Sequence, residues 1–129
     1  MKNTVLIDTN LIIRLLVADG EFEKAIKIFE KIEKAELFAE IKPCVIVEAY
    51  FVMTKFYKFN KFEVIEDLKK IISLDGVINN EKTIILEALS IMEYKSIDFV
   101  DALLCAEGKL KNKEVLTFDK DIKKCLNRV

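Results

Sequence analysis

The stretch TVLIDTN, residues 4–10, decides how the rest of the chain is read. A short β-branched and aliphatic run suits a strand buried on both faces of a parallel sheet. This one stops abruptly at a carboxylate, Asp8, followed by the polar Thr9 and Asn10. Outward from it, LIIRLLVADG (11–20) reads as a helix that Gly20 can terminate, and EFEKAIKIFEKIEKAE (21–36) as an amphipathic helix with Glu and Lys on its outer face. LFAEI (37–41) is a second strand. Pro43 then sits where a first helical residue is tolerated, and the helix it opens, CVIVEAYFVMTKFYKF, is apolar almost all round. Beyond it come an amphipathic helix at 62–72, a short strand GVI at 76–78 and helices at 81–95 and 96–110. The strand EVLTF at 114–118 and a closing helix DKDIKKCL complete the pattern. Strands alternating with helices predict an α/β sandwich with a central, mainly parallel sheet. The 129 residues, 52% hydrophobic, have the size of a single domain, 1–129.

Several function classes are excluded by composition. There is no histidine, which removes Ser-His-Asp and Cys-His nucleophile systems, His-metal sites and imidazole acid/base catalysis. Only Gly20, Gly76 and Gly108 are glycines, so neither a P-loop nor a dinucleotide fingerprint is present. The net charge of -1 supplies no global cationic field for nucleic acid or an anionic membrane, and local patches must do any such binding. Cys44, Cys105 and Cys125 are odd in number, widely spaced and set among aliphatic residues, which predicts reduced core thiols in a reducing compartment. With no signal sequence and no apolar run of membrane-spanning length, a cytoplasmic protein is expected. Abundant Lys, Ile and Glu, with few thermolabile amides, fit a warm habitat.

The remaining chemistry is carboxylate chemistry. Asp8 ends the first predicted strand and Asp119 the last, so both belong at one edge of the sheet, where the functional crevice of an open α/β fold lies. Each is also a natural helix N-cap. Glu48 is the only charged residue between Lys42 and Lys55, on a helix whose neighbours are apolar. It either faces solvent near the helix N-terminus or has a partner. Asp98 and Asp101, three apart, share one face at a helix start, and Asp98 fits a capping role there. Were Asp8, Glu48, Asp101 and Asp119 to converge, two carboxylates 4 Å apart would repel by about 4 kcal/mol at an effective dielectric near 20. Such a cluster takes up protons or a cation. Oxygen-only ligation selects Mg²⁺ or Mn²⁺, ions suited to phosphodiester hydrolysis.

LIDTNLI, VIVEAY, DFVDALLCAEG and VLTFDKD, in this order and over nearly the whole chain, resemble the PIN-domain nucleases, in particular VapC-type toxins of toxin–antitoxin pairs. The resemblance implies a three-layer α/β/α fold and a Mg²⁺- or Mn²⁺-dependent endoribonuclease. It assigns catalytic and metal-binding roles to Asp8, Glu48, Asp101 and Asp119, an auxiliary metal contact to Asp98 and supporting roles to Asn10 and Thr117. It further implies a homodimer, an RNA substrate and a cognate antitoxin that blocks the acidic pocket.

Half of the twelve aromatics lie between Tyr50 and Phe62, as core packing or as a dimer or antitoxin surface. Arg14 and Lys120 are the cations nearest the acids in sequence and candidates for attracting RNA. Two other readings compete. An inactive PIN-like binding module would be favoured by loss of an acid, and all four are present. A phosphoaspartate phosphatase with Asp8 as nucleophile expects a second acid two residues on, where this chain has Asn10.

Overall fold

The structure is a computed structural model and describes residues 3–127. The chain divides into two compact units, one running to Lys82 and the other from Thr83. In the first, β1 (Thr4–Leu6) pairs in parallel with β2 (Phe38–Glu40), with Thr4 opposite Phe38 and Leu6 opposite Glu40. The connection between them is made by α1 (Thr9–Val17) and α2 (Phe22–Glu33). α2 buries Ala25, Phe29 and Ile32, the i, i+4, i+7 stripe that its sequence pattern announces. The expected strand at 76–78 is reduced to one parallel bridge, Ala39 to Val77, with Ala39 N–H donating to the Gly76 carbonyl at 2.8 Å.

Gly20 does not end α1. The helix closes earlier, at Ala18, in the left-handed conformation (φ 62°), its N–H donating to the Arg14 carbonyl. Ala35, Lys58 and Asn112 also adopt positive φ, while no glycine does.

α3 (Pro43–Phe51) starts at proline as expected and buries Ile46, Ala49 and Tyr50. It then widens into a π-helical turn, Val52–Phe56, instead of continuing as an α-helix to residue 59. α4 (Lys61–Ile72) is capped by Asn60, whose side chain accepts from the N–H groups of Phe62 and Glu63. Its buried residues Val64, Ile65, Leu68, Ile71 and Ile72 form one apolar stripe.

Buried Asn79 pairs with the backbone just beyond β2. Its Oδ1 accepts from the Ile41 N–H at 2.8 Å and its Nδ2 donates to the Ile41 carbonyl. Asn79→Ala leaves the Ile41 amide without that partner, and a loss of about 2 kcal/mol is expected in urea denaturation.

The second unit contains α5 (Lys82–Tyr94, beginning at the boundary), α6 (Phe99–Leu110) and α7 (Lys120–Leu126). Phe99, Ala102, Cys105 and Ala106 line the buried side of α6, and Ile122 and Cys125 that of α7. These faces meet, and the cysteine expectation fails as a result. Cys105 and Cys125 are joined in a disulfide with Cα atoms 6.2 Å apart, and Cys44 is exposed. Linking positions 20 apart is worth about 3 kcal/mol on chain-entropy grounds.

The predicted strand at 114–118 does not form. Val115 and Thr117 turn inward while Leu116 and Phe118 are almost fully exposed, the alternation of a strand whose backbone has found no ladder partner. Gly108 lets this segment approach α6, because a Cβ there would fall 2.8 Å from the Val115 side chain.

The fold is α/β, with seven α-helices and a short parallel sheet among the described residues. None of these helices is long and apolar enough to cross a membrane.

Candidate metal-binding acids

Asp8 occupies the N-cap position of α1, placed there by the end of β1, yet its carboxylate makes no capping hydrogen bond. Only its backbone carbonyl serves the helix, accepting from Leu11 at 3.1 Å. Asp8 and Asn10 are both exposed, and Thr9 between them is buried.

Thr9 is the residue that sequence reasoning passed over. Its Oγ1 donates to Glu48 Oε1 at 2.6 Å, tying the first turn of α1 to α3 across 39 residues. Glu48 therefore has both features that its position in the sequence left open: it is exposed, and one oxygen is held by a specific partner. No local signal in the sequence marks this pairing, since a buried threonine after a strand reads as packing.

In the second unit, Asp98 is the N-cap residue of α6 and makes no side-chain cap bond, so the capping-box expectation is not met. Asp101, half-buried in the first turn, has its carboxyl raised above the usual carboxylate range, chiefly by burial and then by the charges of Asp119, Asp98 and Asp121. The charges that raise it are all carboxylates. Asp119 does cap α7, its Oδ1 accepting from Ile122 N–H at 3.0 Å. Thr117 supports that turn by accepting from the Asp119 N–H at 2.9 Å. The structure thus gathers Asp98, Asp101, Asp119 and Asp121 electrostatically around the starts of α6 and α7, and joins Glu48 to Thr9.

Among the described residues, no three His, Cys, Asp or Glu side chains are close enough to hold a metal ion as they stand. The donor chemistry still fits a hard cation, since the candidates are all carboxylates. Of the two cations considered for attracting RNA, Arg14 is paired with Asp19, and Lys120 is exposed.

No curated protein and no solved structure matches this chain. The family model of the PIN domain matches residues 5–125, a stretch that contains Asp8, Glu48, Asp98, Asp101 and Asp119. The chain belongs to the PIN-domain family, a fold whose members are generally metal-dependent nucleases.

Proposed function

We propose that this protein is a Mg²⁺- or Mn²⁺-dependent endoribonuclease, the VapC-type toxin of a toxin–antitoxin pair, acting in the cytoplasm as a single-domain homodimer restrained by a cognate antitoxin. The observation that carries the reading is that the carboxyl of Asp101, at the start of α6, is raised by burial and by Asp119, Asp98 and Asp121, in a chain that matches the PIN domain. Asp8, Glu48, Asp101 and Asp119 would hold the ion, with Asp98 as an auxiliary contact. A bound divalent ion lowers the pKa of its water and neutralises charge on the phosphate.

The chain's own residues orient the ligands. Thr9 fixes one oxygen of Glu48, and the other would be free to bind the ion. Asp119 commits Oδ1 to the α7 backbone, so Oδ2 would be the oxygen it offers the ion. Asp8 spends neither oxygen on capping. A disulfide is compatible with the cytoplasm in hyperthermophiles, whose intracellular proteins are often disulfide-rich, and the Lys-, Ile- and Glu-rich composition fits that setting.

Thermal melting with and without Mn²⁺, paired with cleavage of a mixed RNA pool, tests the reading. Metal at 100 times its dissociation constant is expected to stabilise the protein by about 2.7 kcal/mol, with cleavage dependent on it. A protein that binds neither metal nor cuts RNA would be an inactive binding module.

A further inference from the structure

The segment KFYKFNKF, residues 55–62, interleaves three lysines with aromatics and lies in a stretch without any acid between Glu48 and Glu63. Its rings are not in the core. Phe56 is 75% exposed, Phe62 52% and Phe59 42%. The π-helical turn explains the outward display of Phe56. Met53 is 1% exposed, and in a continuing α-helix Phe56, three residues on, would share its buried face. The wider turn, closed by Tyr57 N–H donating to the Val52 carbonyl at 3.1 Å, carries Phe56 past that face into solvent.

Local contacts also brace the display. Phe59 N–H donates to the Met53 carbonyl at 3.0 Å, Lys58 is in the left-handed region, and Asn60 begins α4. Tyr57 packs between its neighbours, with ring centroids 4.9 Å from Phe56 and 6.1 Å from Phe59. Lys61 Nζ stands 5.6 Å from the Phe62 ring centroid.

We propose that this aromatic and cationic segment is a binding platform for single-stranded RNA, on which unstacked bases lie against Phe56, Phe59 and Phe62 while Lys55, Lys58 and Lys61 meet the phosphates. Two features favour RNA over a protein partner. Alternating rings and ammonium groups match the alternation of base and phosphate along a strand, and stacking tolerates any base. The segment also supplies the local positive charge that a chain of net charge -1 needs in order to bind a polyanion. A purely apolar dimer surface would have no use for three exposed or half-exposed lysines at this spacing.

The choice of RNA as ligand rests on the ribonuclease reading, and the test separates the two. Binding of a fluorescein-labelled 12-nucleotide oligouridylate to the full chain is followed by anisotropy in EDTA, alongside cleavage of the mixed RNA pool in Mn²⁺. Phe56→Leu, which keeps an apolar side chain and removes the ring, is expected to weaken binding about 10-fold. Changing Lys55, Lys58 and Lys61 together to Gln is expected to flatten the salt dependence of log Kd by about 2. Unchanged binding in both variants, with cleavage intact, would overturn the platform and leave the nuclease. Variants that change only the sedimentation-derived oligomeric state would make the segment a contact between copies and overturn it likewise. A wild-type protein that neither binds nor cuts RNA would overturn both readings.

Discussion

Asp101→Asn is expected to reduce RNA cleavage by about 10²–10³-fold, without lowering the melting temperature at pH 7. The two halves of this result have one cause. Burial first, and the charges of Asp119, Asp98 and Asp121 after it, raise the carboxyl of Asp101 above its ordinary range. The folded chain therefore binds a proton at Asp101 more readily than the unfolded chain does. Stability from that group is fully present below the unfolded value, about 3.9, and is lost as pH rises through the raised folded value. At pH 7 the ionised side chain opposes folding, and an amide of the same shape removes the opposition. Melts of both proteins in EDTA at pH 7 and pH 4 check this, with the variant equal or higher at pH 7 and its advantage gone at pH 4. A variant that melted early at pH 7 would mark Asp101 as a structural carboxylate.

Gly76→Ala is expected to be the most damaging small change in the first unit. A Cβ at residue 76 would fall onto the carbonyl oxygens of Ile32 and Leu37, both backbone atoms that cannot rotate away. The same glycine donates its N–H to the Ile32 carbonyl at 2.8 Å, so relieving the clash also breaks a hydrogen bond where α2 turns toward β2. A loss of about 3 kcal/mol follows, roughly 10 °C in melting temperature. Gly20→Ala is the matched control, because nothing lies within 4 Å of the added methyl. Equal melting temperatures for the two variants would show that the α2–β2 turn yields at no cost.

What the sequence disclosed depends on how far each signal reaches along the chain. α2 and α4 were legible from 3.6-residue periodicity, and Pro43 marked the start of α3, because helices are made of near neighbours. The segment 114–118 carries strand propensity and strand alternation, yet a strand also needs a partner, which propensity cannot supply. The π-helical turn was invisible for a different reason: the pattern of 44–59 is apolar almost all round and fixes no phase.

Among the acids, position was readable and commitment was not. Asp8, Asp98 and Asp119 all precede helices, but only Asp119 uses its side chain as a cap. Thr9 and Asn79 gained their roles from partners 39 and 38 residues away. The cysteines misled through their aliphatic neighbours, which mark burial and not oxidation state. That Cys105 and Cys125 lie on the meeting faces of α6 and α7 is a tertiary fact.

The helix ends that turn through left-handed residues other than glycine bear on the chain when it is not folded. Ala18, Ala35 and Lys58 each pay a local strain of about 1 kcal/mol that glycine would avoid. A glycine at any of these places would also widen the range of conformations open to the denatured chain, by a comparable free energy. With only three glycines in 129 residues, the unfolded ensemble is narrow to begin with. The Cys105–Cys125 link narrows it further. Unfolding would therefore return comparatively little conformational freedom to this chain.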